Sequence, residues 1–253
     1  MTTETEIHSG LVVAEFVLAA ITFIALRFVV APYGRHERPG WGPTIPARLG
    51  WVVMEAPSSV GFIWLWSVGA HAGALVPSVL LGMWSLHYVH RTFIFPFRMK
   101  MGGKRMPFMV VGIAVVFNVL NTYVNARWIS HLGSYEDAWL TSVPMCVGAA
   151  VFAVGMVINL RADTYLASLR KSPGDSYVLP KGGLFDLVVQ PNYLGELLEW
   201  VGWAIATWSW AGAAFAVYTF ANLAPRARDN RAWYQARFKD FPERRRAMIP
   251  WLW

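Results

Sequence analysis

Three polar side chains recur at helical spacing where an apolar segment begins in the C-terminal third of the chain. Asn192, Glu196 and Glu199 stand in the run KGGLFDLVVQPNYLGELLEW, and their spacing of four and three residues places them on one helix face. Pro191 has no N–H to lose in a first helical turn, so the helix is predicted to begin near it. An ionised carboxylate in hydrocarbon costs about 2.5–3.5 kcal/mol even on insertion scales. The stripe therefore predicts either a polar site between membrane helices or an interfacial segment whose acids pair with nearby arginines.

Two earlier apolar segments also carry polar groups. Glu55 lies within WVVMEAPSSVGFIWLWSVGA, and Tyr88 and Arg91 are one helical turn apart in LHYVHRTFIFPF. An acid inside a membrane segment is a functional candidate by default, and a phenol can stabilise a carbonyl oxygen that gains charge. His87 and His90 have the i, i+3 spacing of a metal pair. No further His or Cys cluster accompanies them, so no metal site is predicted.

A third polar group follows an apolar segment in INLRADTYLASLRK. Asn159, Asp163 and Arg170 lie near one helical face there, because 11 residues make almost three turns. The pattern is typical of a polar site and equally of a solvated amphipathic extension.

The composition indicates a polytopic membrane protein. The 253 residues are 56% hydrophobic and 15% charged, with a mean hydropathy of +0.39, whereas about a quarter of the residues in soluble domains are charged. Seven segments approach the ~20 apolar residues that a bilayer requires. The predicted spans are about 11–31, 51–70, 74–96, 107–125, 142–160, 193–208 and 211–224. Only Ser209 and Trp210 separate the last two, so a tight re-entry and one broken helix both stay open.

The 22 Lys and Arg residues lie almost wholly in four segments, 32–49, 97–106, 161–192 and the tail from 225. Cytoplasmic loops are enriched in basic residues, so the N-terminus is predicted outside and the tail in the cytoplasm, in a bacterial inner membrane. Lys104 and Arg105 are interpreted as such topology anchors. The net charge of +7 is explained by topology and by attraction to anionic lipid or nucleotide, and a nucleic-acid partner is not predicted.

Neither a disulfide framework nor a Rossmann domain fits this chain. Its single cysteine, Cys146, lies inside a predicted span, which excludes a cysteine-based metal site as well. No GxGxxG follows a predicted strand, and strands do not alternate with helices. The predicted fold class is all-α, and any dinucleotide must bind between helices.

Three sequence blocks in order, GGLFxxVxxPNYLGExxEW, INLRADxYLxxLR and LHYVHRTFIFPF, resemble the steroid 5α-reductase family in what would be a bacterial member. The resemblance covers most of the chain from Glu55 to the terminal IPWLW. It implies a 3-oxo-5α-steroid 4-dehydrogenase, in which NADPH delivers hydride to carbon 5 of a 3-oxo-4-ene steroid. The implied partners are a steroid or steroid-like enone and membrane lipid, and a monomer is expected.

The resemblance also implies roles for particular residues. Glu55 and Tyr88 would be the catalytic pair at the 3-oxo group of the substrate. The implied NADPH-binding residues are Arg91, Asn159, Asp163, Arg170, Tyr177, Asn192, Glu196, Arg226 and Tyr234. The chain departs from relatives at Met54, Phe95 and Asn230, where Gln, Tyr and His occur in some of them.

Residues 1–253 are expected to form one integral membrane reductase domain, with substrate-side helices at about 11–125 and a cofactor-binding part at about 142–253. An isoprenylcysteine-type methyltransferase would share the PNYLGE segment and bind S-adenosylmethionine, but it would not require Glu55 and Tyr88. A transporter could use intramembrane acids, yet it would predict inverted repeats, which we do not find in the sequence. Another enone lipid stays open as the natural substrate.

Overall fold

The computed structural model describes residues 3–99, 103–169 and 177–253, and within these ranges the chain is mainly helical with almost no sheet. The helices are α1 (Glu4–Phe28), α2 (Ala47–Ala56), α3 (Phe62–Ser67), α4 (Leu75–Val89), α5 (Phe95–Arg98), α6 (Phe108–Arg127), α7 (Val143–Ser168), α8 (Pro191–Thr207) and α9 (Trp210–Arg237). Among the described residues, the helical runs long and apolar enough to cross a membrane are Glu4–Phe28, Phe108–Leu132 and Val143–Ser168. The predicted all-α membrane fold is confirmed.

The second and third predicted spans are helical runs interrupted by π-helical turns. The turn Pro57–Gly61 connects α2 to α3, and the turn His90–Ile94 connects α4 to α5. Pro57 accounts for the first interruption because it has no N–H to continue the hydrogen-bond ladder. Each interruption follows a predicted catalytic residue, since Glu55 lies at the end of α2 and Tyr88 at the end of α4.

Helices α7 and α8 approach each other along facing glycines. Gly148 and Gly155 of α7 face Gly202 and Gly195 of α8, and a Cβ atom on Gly155 would lie 2.6 Å from both the Gly195 carbonyl oxygen and the Glu199 nitrogen. The seven-residue spacing on each helix repeats one face every two turns. Backbone therefore packs on backbone, which holds the polar stripe of α8 against the polar end of α7.

A tight turn separates α8 from α9, so the sixth and seventh predicted spans are two helices. Trp208 adopts the left-handed region with φ 46°, and Ser209 caps α9 by accepting a 3.0 Å hydrogen bond from the Gly212 nitrogen. Helix α8 begins at Pro191 as predicted. Helix α9 continues to Arg237, beyond the predicted span 211–224. Hydropathy predicts the apolar length of a segment, and the helix itself can continue past that length.

An aromatic core fills the space between α3, α4, α8 and α9. Trp84 and Trp203 are fully buried, and their indole nitrogens donate to the Ser58 carbonyl at 2.7 Å and to Asn125 Oδ1 at 2.8 Å. A buried indole that keeps its hydrogen bond avoids a desolvation cost. The polar groups of this core therefore hold the rings in defined orientations.

The four basic segments meet at one end of the molecule. Strands β1 (Thr44–Pro46) and β2 (Arg105–Pro107) form an antiparallel ladder between the first two segments. Lys104 Nζ donates to the Tyr177 hydroxyl at 2.9 Å, and the Val189 nitrogen donates to the Arg246 carbonyl at 2.8 Å. Arg127, at the far end of α6, instead pairs at 2.7 Å with the glutamate that begins α1. The basic side chains of these four segments therefore gather at one end of the molecule.

Candidate functional site

A cavity opens at the end of the molecule where the basic segments meet. Its empty volume is ≈ 1450 Å³ with the open mouth included. The walls come from the segment after α1, the end of α4, the polar end of α7, and helices α8 and α9. The predicted site residues in these walls are Arg91, Asp163, Tyr177, Asn192, Arg226 and Tyr234.

Arg91 lines the cavity and links two carboxyl groups from different helices. Its Nη2 lies 3.3 Å from Glu196 Oε2, and its Nε lies 3.8 Å from Glu55 Oε1. The rings of Trp51 and Phe95 lie 4.8 and 4.9 Å from the guanidinium carbon. Ion pairs and cation–π contacts together hold the guanidinium in one orientation. Phe95 supplies a ring without a hydroxyl group here.

The predicted catalytic residues Glu55 and Tyr88 lie in the interior beside Arg91 and not in the cavity wall. They are 9% and 4% exposed. The Tyr88 ring packs 4.9 Å from the Trp84 ring and 5.5 Å from the Trp200 ring. The structure thus brings both residues to the buried side of the arginine, with Glu55 in contact with it and Tyr88 one turn before it.

Hydrogen bonds join the polar ends of α7 and α8. Asn159 Nδ2 donates to the Asn192 carbonyl at 3.0 Å, and Asn192 Nδ2 donates to Asp163 Oδ1 at 3.0 Å. Asp163 Oδ2 and Asn192 Oδ1 are buried and have no hydrogen-bond partner among the described residues. A buried acceptor left unpaired costs about 1–3 kcal/mol, and both oxygens belong to residues that line the cavity.

Two cationic side chains near the cavity mouth, Arg35 and Lys104, were not predicted as site residues, because their local sequence shows only a basic loop. The Arg35 guanidinium carbon lies 5.4, 5.4 and 4.7 Å from the ring centres of Tyr177, Trp233 and Tyr234. Arg35 Nη1 is buried without a hydrogen-bond partner in the described part of the chain. Lys104 also lines the cavity, although its sequence context indicated a topology anchor. These cations come together only because distant loops meet.

Arg226 is enclosed by two tyrosines that the sequence did not single out. Its guanidinium carbon lies 4.9 Å from the Tyr33 ring and 5.5 Å from the Tyr193 ring. Nη2 donates to the Tyr193 hydroxyl at 3.4 Å. Burial raises the pKa of the Tyr33 phenol, so this group keeps its proton at neutral pH. The wall therefore presents a fixed cation beside a hydrogen-bond donor.

Asn230 of α9 contacts the imidazole ring of His36, which lies in a distant loop. His36 Nε2 lies 3.0 Å from Asn230 Oδ1, so the ring nitrogen donates to the amide oxygen. Burial lowers the pKa of His36, which keeps its ring neutral at pH 7. The cavity wall therefore carries the ring of His36 next to the amide of Asn230.

Several predicted residues lie elsewhere. Asn159 and Glu196 support Asn192 and Arg91 from behind the cavity wall. Glu199 turns away from the cavity and lies 2.7 Å from His87. Arg170 falls outside the described residues.

Comparison with known proteins identifies extensive similarity. A family model described as 3-oxo-5-alpha-steroid 4-dehydrogenase matches residues 104–253. The chain is 43% identical over 243 residues to Steroid 5-alpha-reductase DET2 of Gossypium hirsutum, covering 94% of each protein. It is 43% identical over 239 residues to Steroid 5-alpha-reductase DET2 of Arabidopsis thaliana, covering 92% of this chain and 91% of that protein. It is 38% identical over 254 residues to 3-oxo-5-alpha-steroid 4-dehydrogenase 1 of Homo sapiens, covering 98% of this chain and 96% of that protein.

Proposed function

Because the chain belongs to the steroid 5α-reductase family, we propose that it uses NADPH to reduce the 4,5 double bond of a 3-oxo-4-ene steroid or a related enone lipid. The observation that carries this proposal is the arrangement around Arg91, which lines the cavity on one side and contacts Glu55 on the other. A cofactor in the cavity and a substrate carbonyl beside Glu55 would then be separated by one side chain.

The cavity wall fits an anionic dinucleotide. Arg35, Lys104 and Arg226 offer cationic groups of the kind that bind phosphates. The unpaired acceptors of Asp163 and Asn192 suit ribose hydroxyls or an adenine amino group. S-adenosylmethionine has no phosphate and carries a positive sulfonium group, so it would leave these cations unpaired. The charge of the wall therefore favours a reductase over a methyltransferase, and the number of cations favours NADPH over NADH.

Charge balance around Arg91 supports Glu55 as a hydrogen-bond donor. The single guanidinium faces two carboxyl groups, and it lies closer to Glu196, at 3.3 Å, than to Glu55, at 3.8 Å. One cation neutralises one carboxylate, and a second uncompensated buried charge is costly. Glu55 is thus the carboxyl that retains its proton and can donate, as a neutral buried acid does in other oxyanion sites.

Glu55 and Tyr88 would together stabilise charge on the substrate. Hydride addition at carbon 5 moves the electron pair of the double bond toward the 3-oxo oxygen, and carbon 4 is then protonated. Two fixed donors at that oxygen act where the negative charge develops. When bound, the nicotinamide supplies the hydride. The work of the chain's own residues is to orient the enone and to hold a proton at its oxygen.

We also propose a topology of seven membrane spans in which the cavity opens to the cytoplasm. The four basic segments meet around the cavity mouth, and positive charge marks cytoplasmic loops. This orientation would open the nucleotide site to the cytoplasm while the substrate enters from lipid.

The decisive experiment is a reduction assay on detergent-purified protein. Testosterone and NADPH are mixed with the enzyme, and loss of the reduced-nicotinamide absorbance is followed together with the mass of the steroid. We expect NADPH oxidation matched by a steroid two hydrogen atoms heavier. Thermal stabilisation by S-adenosylmethionine but not by NADPH would overturn the proposal, because a ligand that binds only the native state raises its apparent stability.

A further inference from the structure

A buried histidine–glutamate pair joins α4 to α8 beside the proposed catalytic tyrosine. His87 Nδ1 lies 2.7 Å from Glu199 Oε2, and the two residues are 5% and 1% exposed. The other carboxyl oxygen of Glu199 is buried without a hydrogen-bond partner among the described residues. Replacing a buried ionisable pair by apolar side chains is often neutral or stabilising. Stability alone therefore does not account for this pair.

The pair forms one of two polar cross-links between the same helical runs. His87 contacts Glu199, and four residues later Arg91 contacts Glu196 at 3.3 Å. Residues three or four apart lie on one helix face, so the two cross-links are adjacent and run between antiparallel segments. Tyr88 lies between them along the chain.

The His87 ring also forms part of the packing around Tyr88. Its centre lies 4.9 Å from the Tyr88 ring and 4.7 Å from the Trp200 ring, and Trp200 lies 5.5 Å from Tyr88. Because Glu199 precedes Trp200, the carboxyl that fixes His87 belongs to the same helical turn as this second ring. The hydrogen bond between His87 and Glu199 thus sets the position of two of the rings that enclose Tyr88.

We propose that the His87–Glu199 pair positions the Tyr88 hydroxyl for the substrate carbonyl. The inference rests on the proposed reductase function and adds two positioning residues that touch neither substrate nor cofactor. The pair acts by preventing rotation of α4 against α8, which would displace the phenol from the oxygen where charge develops. A displacement on the order of 1 Å can lower a rate by about a hundredfold.

Variants at His87 test this role through a rate constant. His87→Leu, measured in single turnovers at saturating steroid and NADPH, should lower the reduction rate by about ten- to a hundredfold. NADPH affinity should stay unchanged. His87→Asn should recover most of the rate, because its amide nitrogen occupies the place of Nδ1 and can still donate to Glu199. His8 provides a matched control: it is 4% exposed and lies 2.8 Å from the Val124 carbonyl at the other end of the molecule. His8→Leu should leave the rate unchanged.

A double-mutant cycle with Tyr88 separates positioning from simple packing. In the Tyr88→Phe background there is no hydroxyl to position, so His87→Leu should cause little further loss. The same factor in both backgrounds, or a parallel loss of NADPH affinity, would overturn the inference and assign the pair to packing. If His87→Leu does not fold, Glu199→Ala, which removes the acceptor of the same hydrogen bond, supplies the cycle in its place. Wild-type protein without enone reduction would overturn the proposed function itself, whereas wild-type turnover with equal losses in both backgrounds would overturn only this inference.

Discussion

Replacing Tyr88 by phenylalanine isolates the contribution of one hydroxyl group to the proposed reaction. Tyr88 is 4% exposed, and its ring contacts the rings of Trp84, His87 and Trp200 at 4.9, 4.9 and 5.5 Å between centres. Phenylalanine preserves these ring contacts and removes only the donor. Loss of one donor to a developing oxyanion costs about 2.7–4 kcal/mol, or 10²–10³ in kcat. We therefore expect Tyr88→Phe to lower kcat by about that factor.

The assay is a single-turnover measurement of steroid reduction at saturating NADPH, with NADPH affinity determined separately. Affinity should be unchanged, because Tyr88 does not line the cavity. Tyr218 is another buried tyrosine, 9% exposed and stacked 3.5 Å from Phe117 away from the cavity wall, so Tyr218→Phe serves as the control and should retain the wild-type rate. Wild-type turnover by Tyr88→Phe, or a parallel fall in NADPH affinity, would refute the assigned role.

The same reasoning extends to other parts of the molecule. Arg35→Ala should weaken NADPH binding about tenfold or more and NADH binding less, measured by titration, because a charge-assisted contact to the additional phosphate of NADPH is lost. Equal losses for the two dinucleotides would argue against a contact between Arg35 and that additional phosphate. Gly155→Ala should destabilise the fold by about 1–3 kcal/mol, because overpacking strains a close helix contact, and a lower Tm in thermal unfolding would register this. Gly112→Ala is its control, since a Cβ atom there meets nothing within 4 Å. A reporter fused after Trp253 should be active only as a cytoplasmic fusion, and activity outside would contradict the proposed topology. Burial lowers the pKa of His36, so its contribution to stability is present at neutral pH and declines as the pH falls below the ordinary histidine value of about 6.5. Thermal unfolding across this range should show a smaller decline in His36→Gln, and an identical decline would exclude His36 as its source.

Local physics in the sequence determined the helices and where the polar stripe lies. The start of α8 at Pro191 follows from the tolerance of a first turn for proline, and the shared face of Asn192, Glu196 and Glu199 follows from helical periodicity. Apolar length predicted the three described helical runs that are long enough to cross a membrane. These properties depend on residues within a few turns of one another, so a single segment is enough to predict them.

The partners of those side chains depended on how the helices pack. Asn192 bonds to Asp163, Glu196 contacts Arg91, and Glu199 bonds to His87, so one stripe contacts two different helical runs. Periodicity states which side chains share a face, but it does not state which helix that face meets. The facing glycines of α7 and α8 bring one of these partners, Asp163, within reach.

The cavity mouth is a second place where the local sequence does not predict which side chains meet. Arg35 lies among the rings of Tyr177, Trp233 and Tyr234, yet its sequence neighbours indicate only a basic loop. Charge in such a loop is sufficient to predict which side of the membrane it occupies, because that preference acts on each loop independently. A binding site requires loops far apart in the chain to meet at fixed distances. The sequence by itself therefore determined the helices and their polar faces, and only the tertiary structure decided which of the basic side chains became part of the cavity wall.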